Sequence, residues 1–422
     1  MYNTGLIMSD RRYRVLFLAT HAAQYASPVY RKMARDPRLD ILVAYCSLQG
    51  AKSEEVDPEF GREVKWDVPL LDGYPWTHVR NRSLRPGLGR FFGLFNPGVW
   101  KLIRKGRFDA VVFYTGYRYA SFWIALAAAK LSGSKLLLGT DATTVQLRVG
   151  GRLKLWLKPR VLSRIYRLAD AAYSASLAGK EYLQSLGVPA SRIGIVPLVV
   201  DNDWWLARAK EADRSAVRAS WHVPESAVVI LFCGKLQPWK RPQDLIDAFA
   251  RANVAASYLV LAGDGPMMGD LEALAAKLGV SDRVRFLGFQ NQTQMPGNYC
   301  AADLFALPSE YDACPAVVCE AMLCGLPVVI SSEIRGRLEL IVPGETGYVF
   351  PCADVNALTE ILLNMLANRS RLPTMGAAAR QMMDTCSPAT NVADFLRLMD
   401  TAFSAKTPGD LTASARQPAP KG

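Results

Sequence analysis

The sequence predicts an α/β protein built from two doubly wound, Rossmann-like domains. Three observations predict it. Short apolar strand candidates alternate with helical patterns in both halves of the chain, the signature of parallel sheets. The alternation breaks once, over the polar, tryptophan-containing residues 201–224, and then restarts. The chain has 422 residues, 50% hydrophobic and 21% charged, a globular mix long enough for two or three domains and unlike bulk disorder.

In chain order, residues 1–12 read as a loose leader in which Met8 is a candidate start. The first domain is expected over 13–200, with strands near 14–20, 40–46, 109–115 and 135–139. Residues 201–225 read as an interdomain linker. The second domain is expected over 226–385, with strands near 227–234, 258–263, 283–288, 303–307 and 327–331, and helical spacing over 241–253 and 266–278. Ser387-Pro388 reads as an N-cap followed by proline at the first helical position, opening a helix to about residue 404 within 386–404. The Pro- and Gly-containing 405–422 has no apolar periodicity and reads as a disordered tail. Ligands are expected where strand carboxyl ends meet the cleft.

Several function classes are excluded. The longest largely apolar run, 120–129, broken only by Ser121, ends at Lys130, far short of the ~20 residues a membrane span needs. Arg11, Arg12 and Arg14 lead straight into a strand, so no signal-peptide core follows the amino terminus. The eight cysteines contain no C-x-x-C pair, and Cys314, Cys319 and Cys324 are spaced five apart, unlike a zinc site. Reduced thiols in a cytoplasmic protein are expected. The three histidines, His21, His78 and His222, form no metal-binding motif, so no protein-held metal is expected. Charge is uneven: residues 1–200 hold 30 Lys/Arg and 14 Asp/Glu, net +16, while the remainder is net −4. A basic half suits an acidic partner such as a membrane surface or a phosphorylated substrate.

Three motifs could carry chemistry. Gly234-Lys235-Leu236-Gln237-Pro238-Trp239-Lys240 follows a strand and precedes a helix. Two lysines five apart on such a loop can both reach one diphosphate, helped by the helix terminus; a solvated turn is the plain alternative. Residues 308–322 follow another strand, and Pro315 suits a helix start. Glu320 lies among Val317, Val318, Ala321 and Met322, where a buried carboxylate needs a partner. A ribose diol would serve, as would a structural ion pair. Ala262-Gly263-Asp264-Gly265-Pro266 imitates a dinucleotide fingerprint, but Pro266 occupies the helix start, and a tight turn is the better reading.

At this point the residues resemble a family. The run from 231 to 351 is similar to the carboxyl domain of the retaining GT-B glycosyltransferases of family 4. Gly234, Lys235, Leu236 and Lys240 match its G-[RK]-L-x-x-x-K loop, and Ala262–Pro266 its A-G-x-G-P turn. Glu320-Ala321-Met322-Leu323-Cys324-Gly325-Leu326-Pro327-Val328-Val329 matches E-A-M-x-x-G-x-P-V-V, and Gly344, Gly347 and Pro351 the loop that follows. His21–Tyr25 and Trp66–Tyr74 look like members that build surface polysaccharides. The resemblance implies two Rossmann-like domains facing across a deep cleft, with the C-terminal helix able to cross back to the first. It implies retaining transfer of a sugar from a nucleotide diphosphosugar to an acceptor hydroxyl, acceptor on the first domain and donor on the second. Gly234, Lys235 and Lys240 would hold the diphosphate and Glu320 the ribose. The family's sugar-contacting acid, eight residues before that glutamate, is here Asp312, with Glu310 as a rival; Cys314-Pro315 replaces the usual Phe-Gly pair. The departing phosphate oxygen would take the acceptor proton, so no cofactor or obligatory metal is implied.

In the first domain, Asp141 follows the strand 135–139 and is the candidate for the family's polar cleft residue; a helix cap is the alternative. His21 ends the first strand and is expected to face the same cleft. Two acid-free basic stretches, 80–107 and 148–167, interleave Phe91, Phe92, Phe95, Trp100 and Trp156 with Lys and Arg. They suit an anionic membrane surface. No nucleic-acid motif is present. The sequence therefore predicts a metal-independent bacterial glycosyltransferase, cytoplasmic and peripheral at the inner membrane face. Its acceptor is expected to be a lipid-linked saccharide in surface polysaccharide assembly. The rivals are a nucleotide-sugar epimerase of the same architecture and a non-catalytic scaffold.

Overall fold

Residues Tyr13–Ala19, β1, are apolar on both faces, which a strand tolerates only inside a sheet covered on both sides. Val15 and Phe17 point into one layer, where Phe17 packs on Tyr30; Leu16 and Leu18 point into the other, with Ile103 and Phe122. The computed structural model describes residues 11–51, 56–57, 62–63, 65–144 and 152–404, with backbone alone for 56–57, 62–63 and 152–155. The tail expected over 405–422, and residues 1–10 of the expected leader, lie outside the described residues. Arg11, assigned to that leader, is docked: its guanidinium bonds Asp109 at 2.8 Å and lies 4.6 Å over the Phe403 ring.

The first domain continues with α1 (Ser27–Ala34), β2 (Leu39–Tyr45), a small β3 (Val56–Asp57) and β4 (Arg62–Glu63) hairpin, β5 (Trp76–His78), α2 (Gly98–Gly106), β6 (Ala110–Tyr114), α3 (Ala120–Ser132), β7 (Lys135–Thr140), α4 (Arg152–Arg167), β8 (Ala171–Ser174), α5 (Leu177–Ser185) and β9 (Ile193–Ile195). Its seven-stranded sheet runs β5-β2-β1-β6-β7-β8-β9, all parallel. Then come α6 (Asn202–Glu211), α7 (Arg214–Ser220), β10 (Val228–Cys233), α8 (Pro242–Ala252), β11 (Ser257–Ala262), α9 (Met268–Lys277), β12 (Val284–Gly288), α10 (Met295–Ala301), β13 (Leu304–Leu307), α11 (Ala316–Leu323), β14 (Val328–Ser331), β15 (Gly347–Phe350), α12 (Val355–Ala367), α13 (Leu372–Met382) and α14 (Pro388–Ser404). The second sheet runs β12-β11-β10-β13-β14-β15, again parallel. In both sheets the strand order reverses beside the first strand, β1 or β10, and a doubly wound fold opens its ligand crevice there.

One segment differs from expectation. Residues 201–225 form helices rather than a linker, because their charges and aromatics have partners in the second domain. Arg218 is buried, bonding Asp303 at 2.7 Å and the Ala301 and Ala227 carbonyls; Trp205 is buried against Tyr299. The C-terminal helix does cross back. On α14, Phe395 packs on Phe17 of β1, Tyr13 donates to Asp400 at 2.9 Å, and Leu398 fills the space left by Gly194. Ser387 caps it as the sequence suggests, accepting from Thr390 N–H.

Candidate active site

The crevice ends of the two sheets enclose one cleft of about 850 Å³ between the domains. From the first domain it is lined by the loop after β1, His21 to Tyr25, and by Gln49, Gly50, Trp66, Leu88 and Arg118. From the second it is lined by Gly234, Lys235, Lys240, Asp312, Ala316, Val317 and Glu320. Six of the eight candidate residues therefore meet in one place.

The lysine loop is shaped by its neighbour. Gly234 N–H donates to Ala262 O and Leu236 N–H to Asp264 O, so the loop lies directly on the Gly263–Gly265 turn. A Cβ at Gly263 would sit 1.9 Å from Gly234 O. The glycine pair that imitates a dinucleotide fingerprint thus serves close backbone approach. After one 3-10 turn, Pro238–Lys240, α8 begins. Lys240 forms an ion pair with Asp312, both largely buried. Trp239 O accepts from Glu310 N–H at 2.8 Å, joining the two loops.

Helix α11 starts after Pro315, and its first residues, Ala316 and Val317, open onto the cleft. One turn on, Glu320 is 6% exposed and accepts a 2.9 Å hydrogen bond from the Tyr299 hydroxyl. Burial pushes its carboxyl up to about 7; Cys319 adds to the rise, and hydrogen bonds from Tyr299 and Gln292 oppose it. A carboxylate so placed has few water partners and retains capacity for a ligand hydroxyl.

The other two candidates stand apart. Glu310 does not line the cleft: its side chain is 63% exposed and faces Arg241 at 3.9 Å. Its proximity to the motif in sequence does not survive the bend of the chain at Glu310. Asp141 lines a smaller adjoining pocket of about 170 Å³, which shares His21, Ala23 and Tyr25 with the cleft. It is open to the water of that pocket yet walled in by protein. Burial raises its carboxyl, and the buried Arg337 guanidinium draws it down. Gln292 and Tyr299, which hold Glu320, carry no motif spacing; only the docking of α10 beside α11 brings them there.

The sequence matches the family model "Glycosyltransferase Family 4" over residues 38–204 and "Glycosyl transferases group 1" over residues 213–382. The chain belongs to the GT-B glycosyltransferases of family 4. This glycosyltransferase is 29% identical, over 65% of its own length and 72% of the other, to the GDP-mannose-dependent alpha-(1-6)-phosphatidylinositol monomannoside mannosyltransferase of Mycobacterium tuberculosis. It is 27% identical, over 94% and 93% of the two chains, to the D-inositol 3-phosphate glycosyltransferase of Salinispora arenicola. Among solved structures, Anabaena HepE in complex with UDP and glucose shares the fold with a TM-score of 0.71 at 19% identity, covering 92% of this chain and all of HepE.

Proposed function

We propose that this glycosyltransferase moves a hexosyl or related sugar, with retention, from a nucleoside diphosphosugar to a hydroxyl of a lipid-linked saccharide, in surface polysaccharide assembly. The observation that carries the donor half is the meeting of Lys235, Lys240 and buried Glu320 in one cleft, opposite His21. The lysines and the N-terminus of α11 suit a diphosphate, whose charge they neutralise without a metal ion. Glu320 suits the ribose hydroxyls. In the structure Asp312 supplies the negative charge beside Lys240. The incoming diphosphate takes over Lys240, and Asp312 turns to accept a hydroxyl of the sugar.

In the transfer, the bond from the anomeric carbon to the phosphate oxygen breaks. The bond to the acceptor oxygen forms on the same face. The acceptor's proton passes to the departing phosphate oxygen. The protein positions the partners and stabilises charge on the leaving group. His21 and Asp141 border the acceptor side, where Asp141 can accept a hydrogen bond from a hydroxyl.

The lipid half of the proposal is supported by the cleft wall itself. Leu88 and Arg118 line the cleft, and Phe91 and Phe92, 46% and 65% exposed, follow on the acid-free 80–107 stretch. Trp100 on α2 and Trp156 on α4 are also exposed among basic residues. The second stretch, 148–167, is described only from residue 152, and its side chains only from Trp156; residues 148–151 lie outside the described residues. Among the described residues no helix is long and apolar enough to cross a membrane. The test is thermal shift with UDP, GDP and their sugars, then transfer of labelled sugar to membrane lipids. Stabilisation by a nucleoside diphosphate with lipid-soluble product supports the proposal. Release of an epimerised free sugar without an acceptor refutes it.

A further inference from the structure

The base end of the donor has a partner from the opposite domain. The segment 65–67 of the first domain runs along the cleft mouth and is tied across it to the loop after β12. The Asp67 carboxylate accepts from the Thr293 N–H at 3.1 and 3.3 Å and from the Thr293 hydroxyl. Asn291 Nδ2 donates to Lys65 O at 2.9 Å, and Asp67 N–H donates to Asn291 Oδ1 at 3.4 Å. Between these bonds the Trp66 ring meets that of Phe289, centroids 6.5 Å apart and tilted by 48°, and both rings line the cleft. Behind Trp66 lies Gly50, where a Cβ would stand 3.4 Å from the indole Cδ1, in ordinary van der Waals contact.

The direction of the nucleotide follows from the donor reading, on which this step rests. With diphosphate on Lys235 and Lys240 and ribose on Glu320, the base must leave the ribose on the side away from the lysines. That side is the Phe289–Gln292 loop, whose Gln292 hydrogen-bonds Glu320. Every nucleobase presents a π-face, and an indole is the strongest stacking surface a protein offers. We infer that Trp66 is a donor-binding residue contributed by the first domain, its indole walling the base pocket, and that Asp67 is the positioning residue that latches it there through Thr293. Asp67 and Thr293 are exposed, so each bond of the latch is individually weak.

The experiment is calorimetric binding of UDP, GDP and inorganic pyrophosphate to the full chain and its variants, with thermal melting as a check on folding. Trp66→Ala is expected to weaken whichever nucleoside diphosphate the parent binds by about tenfold and to leave pyrophosphate unchanged. Trp66→Phe keeps a stacking face and should recover most of the loss. Asp67→Ala should weaken the same nucleotide although its side chain does not touch it, and Asp67→Asn, which keeps an acceptor for Thr293, should recover it. If Trp66→Ala binds the nucleoside diphosphate like the parent, or loses pyrophosphate equally, the inference is overturned while the donor reading stands. If the parent binds no nucleoside diphosphate, the donor reading fails and takes this inference with it.

Discussion

Removing the Asp312 charge should tighten the bare nucleotide and impair turnover. In the structure Asp312 and Lys240 neutralise each other, 19% and 15% exposed. A phosphate oxygen bonded to Lys240 Nζ would lie roughly 5–6 Å from the Asp312 carboxylate. At an effective dielectric of about 20, two unit charges at that distance repel by about 3 kcal/mol. Salt and partial exposure reduce this, leaving about 1–2 kcal/mol, or about five- to thirtyfold in Kd. Asp312→Asn should therefore bind a nucleoside diphosphate that much more tightly. Turnover with the full sugar donor should fall, because the carboxylate that would accept the sugar hydroxyl is gone. Adding Lys240→Met should abolish the gain, since the Asp312 effect acts through Lys240. Calorimetry on the two single variants and the double variant, with initial rates, tests all three statements. Weaker nucleotide binding by Asp312→Asn would refute the reasoning. Should Glu310→Gln stop turnover while Asp312→Asn remains active, the sugar-contacting acid is Glu310, two residues earlier.

The remaining predictions concern charge and surface. Glu320 holds its proton up to about pH 7 when folded, against 4.5 ordinarily, so its own contribution to folding stability is fully present below pH 4.5 and is lost as pH rises through about 7, by up to about 3 kcal/mol. Glu320→Gln should then melt higher than the parent at pH 8, while losing about 1.5–3 kcal/mol of nucleotide affinity. In the parent, nucleotide affinity should rise with pH through about 7 and binding should release a proton, seen as buffer-dependent calorimetric heat; an affinity independent of pH sinks the ribose role. Changing Lys101, Arg104 and Lys105 on α2 to Ser should weaken sedimentation with anionic vesicles by about 1 kcal/mol per residue, as should added salt. Equal sedimentation would remove α2 from the membrane surface. Activity should survive excess chelator; loss restored by magnesium or manganese would show that the lysines do not suffice for the diphosphate.

What was legible in the sequence was whatever repeats locally. The alternation of apolar runs with helical spacing located β1, β2, β6 and β7, and β10 to β14, because buried parallel strands are continuous in hydrophobicity. The short β5, β8, β9 and β15 escaped it, whereas β13 and β14, only four residues each, stood out through the apolar runs Leu304–Leu307 and Val328–Ile330. Residues 201–225 were misread for a related reason. Arg218 looks like a solvent residue in sequence, and only Asp303, 85 positions away, makes it a buried one. The motif residues Gly234, Lys235, Lys240, Asp312 and Glu320 share the cleft because each sits on the loop, or within the first two helical turns, that directly follows its own strand. Glu310 shows the limit of that logic: two positions along a turning loop carry a side chain out of the cleft.

The residues that were not legible are those through which the domains meet. Trp66 and Phe289 are 223 positions apart, and Asp67 and Thr293 226; no spacing rule connects them. They come together only because both sheets turn their crevice ends to the same cleft and α14, packed against β1, returns the chain to the first domain. Arg337 makes the same point from inside. It is buried, donating to Pro315 O in the sugar-side loop and to Leu198 O in the first domain, while its charge reaches Asp141. A guanidinium that bonds carbonyls of both domains must feel their relative position. The motif residues proposed to hold the donor's diphosphate and ribose thus belong to one domain and are readable from its sequence, whereas Trp66 and Arg337 act through contacts that exist only when the two halves are assembled.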